Sequence, residues 1–249
     1  MLREELGRAR QVELKGSPIN LVTEMDRRSE ALIVDALRRE FPDDAILAEE
    51  GGSTSGGSGR RWIVDPLDGT TNYAHGVPIF AVSIALEAAG RVVLGVIHDP
   101  NHRETFIAER GRGAYLDGTP LAVSATKTLN ESLLVTGFPY DIREGPENNL
   151  REYAAFSLRS RGVRRLGSAV LDFAYVAAGR IDGYWELRLG TWDAAAGSLL
   201  VEEAGGRITN LEGHPLNLAA PQIVASNGLI HDELLETLRD VRSPRTGQS

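Results

Sequence analysis

Residues 62–72 read Trp-Ile-Val-Asp-Pro-Leu-Asp-Gly-Thr-Thr-Asn, a hydrophobic run that ends in two aspartates three residues apart. The apolar residues predict a buried strand, and Gly69-Thr70-Thr71 predicts the turn into a helix. Carboxylates are thereby delivered to a strand end beside the N-terminus of a helix. Hard cations such as Mg²⁺ take oxygen ligands, commonly one or two carboxylates plus phosphate oxygens of a substrate. Helix N-termini offer unpaired N–H groups to anions. One short segment thus supplies both halves of a metal-plus-phosphate site, and whatever fold the chain adopts must open a cleft at this strand end.

The rest of the sequence predicts how that cleft is framed. A helix is expected over 23–41, with Ala31, Leu32, Leu37 and Phe41 on its apolar side and Thr23 and Asp26 spaced as a capping pair. A short strand over 45–48 leads to Glu49-Glu50. The Gly/Ser-rich stretch 51–59 predicts a flexible loop, either a surface linker or a mobile lid. Strands over 79–88, 91–99, 103–109 and 113–123 follow as an antiparallel meander, with Ala89-Gly90 and Asp117-Gly118 as turns. The second half alternates: strands over 133–136, 163–166, 184–186 and 222–225, and helices over 146–159, 168–178, 192–204 and 229–241. These divide into an N-terminal lobe over 1–125, a C-terminal α/β lobe over 126–242 and a flexible tail over 243–249. Trp62, Trp185 and Trp192 are expected in the core.

Bulk properties remove several function classes. The 249 residues carry a net charge of −8, which argues against nucleic acid as a partner. The absence of cysteine excludes disulfides and thiolate zinc sites and fits a cytoplasmic protein. No run approaches the roughly 20 apolar residues of a membrane span, and residues 1–5 show no apolar signal region. The five histidines show no zinc spacing, and His75 reads as an ordinary loop histidine. No Gly-x-x-x-x-Gly-Lys-Ser/Thr loop exists.

Five carboxylates precede or begin an element turn: Asp26, Glu49, Asp65, Asp68 and Asp193. Asp26 and Asp193 could each serve only a helix start, and Glu49 could be a solvated strand end. Asp65 and Asp68 have no such packing use. Residues 65–72, Asp-Pro-Leu-Asp-Gly-Thr-Thr-Asn, match the first signature of the inositol monophosphatase family, the Mg²⁺-dependent, lithium-sensitive phosphatases. Trp192-Asp193-Ala194-Ala195-Ala196-Gly197 followed by Glu203-Ala204-Gly205-Gly206 resembles the second signature. Glu49-Glu50 and the segment from Lys15 to Thr23 with Asp26 also resemble the family, so the likeness spans about residues 15 to 240.

The resemblance implies a layered αβαβα sandwich of the inositol monophosphatase/fructose-1,6-bisphosphatase type, with the site between two lobes, and a homodimer. It implies two or three Mg²⁺ ions per site. Glu49, Asp65 and the Leu67 carbonyl would hold one metal, and Asp65, Asp68 and Asp193 a second, with Glu49 touching a weaker third. Gly69 and Thr70 would present N–H groups to the phosphate. Thr70 paired with Asp26 would activate water. Asp68, Glu186 and Asp193 would border the substrate, with Glu186 on its hydroxyls. Two cations about 4 Å apart suit an in-line displacement at phosphorus, a reaction that is very slow unaided. The implied activity is hydrolysis of inositol monophosphate or a related sugar or polyol phosphate. Fructose 1,6-bisphosphatase or dual activity, and a regulatory binding protein on the same fold, stay open.

Three positions qualify the likeness. Fourteen residues precede Lys15, fewer than in typical relatives. Thr71 stands where relatives acting on 3′-phosphoadenosine phosphate or histidinol phosphate carry lysine, which favours the inositol branch. Arg165 stands where animal inositol enzymes carry a small hydroxyl residue. It either binds a second phosphate or a larger polyol, or is solvated or meets another subunit.

Overall fold

The protein is described from a computed structural model covering residues 1–8, 12–15 and 21–243. Residues 16–20 of the Lys15–Thr23 segment and 244–249 of the expected tail lie outside the described residues. The chain opens with a short helix, α1 (Leu2–Glu5), and a two-stranded ladder, β1 (Val12–Leu14) on β2 (Leu21–Thr23).

Helix α2 (Glu24–Glu40) starts at a capping box. The Met25 N–H donates to Thr23 Oγ1 at 3.1 Å, and the Thr23 N–H donates back to Asp26 Oδ2 at 2.8 Å. Its packed side is Met25, Asp26, Ser29 and Glu30, continued by Ile33, Val34 and Leu37 at helical spacing. Ala31, Leu32 and Phe41, expected on that side, are exposed: Ala31 and Leu32 fall off the stripe, and Phe41 lies past the helix end with its ring 5.1 Å from that of Trp62.

Strands β3 (Ala45–Ala48), β4 (Gly52–Thr54), β5 (Arg60–Asp68), β6 (Ala81–Ala88), β7 (Arg91–Asp99), β8 (Glu104–Glu109), β9 (Gly113–Leu116) and β10 (Thr119–Pro120) form one eight-stranded sheet in the order β10-β9-β8-β7-β6-β5-β3-β4. The five-residue helix α3 (Thr70–Ala74) sits between β5 and β6. The meander is antiparallel as expected, but β3 runs parallel to β5. The 51–59 stretch is not a loop throughout, because β4 pairs antiparallel with β3. Backbone hydrogen bonding there overrides a glycine-rich composition. Asp44 pins the far end of the stretch, accepting from Ser58 Oγ, Arg60 and the Trp62 indole.

The second sheet contains β11 (Leu133–Thr136), β12 (Gly162–Arg164), β13 (Gly183–Glu186), β14 (Arg207–Thr209) and β15 (Ile223–Ser226), in the order β12-β11-β13-β15-β14. Around it lie α4 (Leu150–Arg159), α5 (Ala169–Ala177), α6 (Thr191–Glu203) and α7 (His231–Arg242). Helix α4 begins four residues later than the sequence predicts, because Asn149 adopts a left-handed conformation with φ of 65° and breaks the helical run. Strand β12 ends before Leu166, and β14 escaped the sequence reading because three residues carry too little periodicity.

The layers are α2, the eight-stranded sheet, α5 with α6, the five-stranded sheet, and α4 with α7. This is the expected αβαβα sandwich. The main core fills both sides of α5, apolar apart from Asp172, and of the middle of α6, where every residue from Ala194 to Val201 is buried. Close approach depends on Gly197, where a Cβ would lie 2.4 Å from Phe173 Cγ. Trp62 and Trp185 are buried, whereas Trp192 is only half-buried at the start of α6, where the layer opens into the site. Among the described residues no helix is long and apolar enough to cross a membrane.

Candidate active site

Strand β5 carries Asp65 and Asp68, and simple strand geometry would point them to opposite faces, since residues three apart have opposite parity. The pairing with β6 resolves this. Asp65 faces Ser83 and Asp68 faces Ala81, so one extra residue sits in β5 between them. That bulge turns Asp68 back to the face of Asp65. Pro66, which has no N–H to give the ladder, lies inside it. Its carbonyl is tied to α2 by Ser29 Oγ at 2.8 Å.

Gly69 then turns the chain into α3 with φ of 90°. A Cβ there would lie 2.9 Å from the Ile79 carbonyl oxygen and 3.2 Å from that of Gly167, so no other residue fits. Thr70 Oγ1 lies 2.8 Å from Asp26 Oδ1 and 3.1 Å from the Leu67 carbonyl oxygen. Asp26 is buried and held from its other side by Thr23, whose N–H and hydroxyl donate to Oδ2 at 2.8 and 2.6 Å. The arrangement that caps α2 therefore also holds Asp26 Oδ1 against the Thr70 hydroxyl.

Asp193 arrives from the other half of the chain, at the third position of α6. The Gly190 N–H donates to its Oδ2 at 2.5 Å, a helix-start contact that fixes the side chain. Asp65, Asp68 and Asp193 each place a carboxylate oxygen within 4.8 Å of the others. Asp68 Oδ2 is held by the Ser168 hydroxyl and by the Val170 N–H at 3.0 Å. Glu49 lies outside that close group, and Lys15 Nζ donates to it at 3.1 Å and also pairs with Glu50.

Crowding raises the proton affinity of the whole set. Asp65 is held well above the usual carboxylate range, first by burial, then by the charges of Glu49, Asp68 and Asp193. Asp193 is raised well above it by burial and by Asp68 and Glu49. Asp68 is raised by burial despite its hydrogen-bond donors. Burial pushes Glu49 up to about 7 although Lys15 opposes the shift. An all-oxygen, half-buried donor set with mutual repulsion and no histidine or cysteine fits a hard divalent cation, which would relieve the repulsion.

Glu186 stands at the end of β13, buried, and accepts from the Tyr184 hydroxyl. Burial lifts it to about 7. Arg165 is exposed, and its charge lowers the proton affinity of Glu186 and Asp68. Asn72 joins the halves: its Nδ2 donates to the carbonyls of Ile79 at 2.9 Å and Leu166 at 2.8 Å. His75 is exposed.

Four neighbours of the site escaped the sequence reading. Ser168 was legible as a helix cap but not as a donor to Asp68. Tyr140 lies close enough to Asp193, Asp68, Glu49 and Asp65 for burial and their charges to raise its phenol. Asp172 is buried with Oδ1 lacking a partner, and burial and Glu186 raise it well above the usual range. Gly137 abuts Glu186. None of these four sits in a spaced motif.

The sequence model described as the inositol monophosphatase family matches residues 1–243. The chain belongs to the inositol monophosphatase family. It is similar to the inositol-1-monophosphatase of Synechocystis, with 45% identity over 93% of this chain and 81% of that one. It is also similar to the Nus factor SuhB of Pseudomonas aeruginosa, with 48% identity over 88% of this chain and 82% of that one. The solved inositol monophosphatase of Anabaena is 49% identical, with a TM-score of 0.84 over 86% of each chain. Membership agrees with the layered sandwich and with the signatures at 65–72 and 192–206.

Proposed function

We propose that the chain is a Mg²⁺-dependent phosphomonoesterase that hydrolyses inositol monophosphate or a related polyol phosphate. The carrying observation is the convergence of Asp65, Asp68 and Asp193 beside the Thr70–Asp26 pair. Family membership and relatives named inositol-1-monophosphatase support the same reading. Asp65, Asp68 and Asp193 would hold one Mg²⁺; Glu49, Asp65 and the Leu67 carbonyl would hold another, once Lys15 yields Glu49. When bound, the metal would neutralise the carboxylates and polarise the phosphoryl group and a water molecule.

The protein's own groups do the rest. Thr70 takes a proton from the attacking water while passing its own to Asp26 Oδ1, and the Thr23 donors keep Asp26 aimed. The Gly69 and Thr70 N–H groups would face the phosphate oxygens, where negative charge gathers. Asp68, Asp193 and Glu186 would border the alcohol, with Glu186 accepting from its hydroxyls and Arg165 at the rim. A homodimer in the cytoplasm is part of the proposal and is supported by the family likeness alone. A second reading, a regulatory binding protein on the same fold, draws on the relative named Nus factor SuhB. The full set of carboxylates favours the enzyme.

Phosphate release from inositol 1-phosphate, fructose 1,6-bisphosphate and simpler esters, with and without Mg²⁺ and Li⁺, tests this. Mg²⁺-dependent release that is greatest from a polyol ester is expected. No release from any ester at saturating Mg²⁺ would overturn the proposal.

A further inference from the structure

Gly137 follows the last residue of β11 and faces the end of β13. A Cβ built on it would lie 2.2 Å from Glu186 Oε1, 2.3 Å from Oε2 and 2.4 Å from the carboxyl carbon. Real Cβ atoms do not approach oxygen so closely, so the carboxylate occupies the space that a side chain at 137 would need. Gly137 is absent from the glycines with positive φ, so space alone calls for glycine here.

Neither side can retreat easily. The Gly137 carbonyl accepts from Asn149 Nδ2 at 2.6 Å. Thr136 Oγ1 donates to the Trp185 carbonyl at 2.6 Å, and the Trp185 indole donates to Asn149 Oδ1 at 2.7 Å. Thr136, Asn149 and Trp185 are all fully buried, and Thr136 is paired with Trp185 across the two parallel strands. The Glu186 side is fixed by the Tyr184 hydroxyl, and the Tyr184 ring packs edge-on against Phe173 at 4.9 Å. A side chain at 137 would therefore force the Glu186 carboxylate out of its place beside Tyr184, and Asp68 and Asp193 sense its charge.

We propose that Gly137 is a specificity-determining residue: its missing side chain sets the depth at which Glu186 meets the hydroxyls of a polyol phosphate. The proposal rests on the phosphatase reading above. It concerns only the alcohol half of the ester, so an ester without hydroxyls should be indifferent to it.

The experiment compares wild type, G137A, E186A and the double variant on inositol 1-phosphate and phenyl phosphate, each at saturating Mg²⁺. G137A is expected to lower kcat/KM for inositol 1-phosphate by about 10- to 100-fold, the usual scale of an overpacking penalty, and to leave phenyl phosphate within about 3-fold. In the E186A background the added methyl should change neither ester, because the group it collides with is gone. A G137A protein that folds only when Glu186 is also truncated would support the same collision. Equal loss on both esters, no loss on either, or an undiminished G137A effect in the E186A background would each overturn the inference. A wild-type protein inactive on both esters would overturn the phosphatase reading, and the inference with it.

Discussion

The two walls of the site are built in opposite ways. The wall proposed for the metal is mostly local: Asp65, Leu67, Asp68, Gly69 and Thr70 lie within six consecutive residues and one bulge aims both acids, with Glu49 joining from just after β3 and Asp193 from α6. The alcohol-side wall is assembled from β11, β13, α5 and the 137–149 loop, joined by buried bonds between residues far apart in the chain. A local wall needs a fixed sequence of residue types, because each residue serves at its own backbone position. An assembled wall needs only shapes that fit, so its residues need not form a motif. On the proposed reading the first wall would carry the charge chemistry and the second the selectivity.

If that contrast holds, damage to the local wall abolishes turnover on every ester. Asp65→Asn should reduce kcat on the order of 10³-fold or more, since a lost ligand forfeits charge stabilisation of the transition state. The fold should survive, because Asn removes a repelled buried charge. Circular dichroism and phosphate release check both halves, and near-normal turnover at saturating Mg²⁺ would refute the assignment. Thr70→Ala comes next, with an expected loss of roughly 10²-fold or more on all esters, the scale of positioned proton transfer. A loss confined to polyol esters would instead place Thr70 on the wrong wall.

The metal-side wall should also reveal itself in stability. Its carboxyls have raised proton affinity in the folded protein, Glu49 reaching about 7. Groups shifted in that direction stabilise below their unfolded pKa, and that contribution is lost as pH rises through the folded value. The metal-free protein should accordingly weaken between pH 5 and pH 8, because the loss sets in above the ordinary carboxylate value of about 4 and is complete for Glu49 once pH passes its folded value of about 7. Mg²⁺ binds the ionised form, so it should raise the melting midpoint more at the higher pH. At 100 times its Kd the gain is about 2.7 kcal/mol, or roughly 5–10 °C for a chain of this size. Equal gains at both pH values would contradict the raised carboxyls.

The smallest effect belongs to the rim of the alcohol-side wall. Arg165 lowers the proton affinity of Glu186, which stands at about 7. Arg165→Ala should move the acid limb of the kcat/KM profile for inositol 1-phosphate upward by less than about one unit, as befits an exposed charge. A downward shift would break the link between the two residues.

The same contrast explains what was legible in the sequence. The bulge pair, the Thr23–Asp26 cap and the Asp193 helix start all use short-range rules, and all were found. The αβαβα layers followed from the family likeness, and the alternation of elements agreed with them. What escaped were long-range fits: β4 pairing inside a glycine-rich stretch, Ser168 on Asp68, and Gly137 against Glu186. Helix α4 was misplaced because a left-handed asparagine is invisible to periodicity, although the buried bonds of Asn149 explain it fully.

The carboxylate of α6 has one more consequence. Asp193 enters the cluster only after the chain beyond β13 has been made and α6 has docked against α5 through Gly197. A nascent chain that ends before α6 therefore has Asp65 and Asp68 but not the third carboxylate of the cluster. On the proposed reading, a molecule cut off before α6 would lack one of the three clustered carboxylates and would hold a divalent ion more weakly than the complete chain.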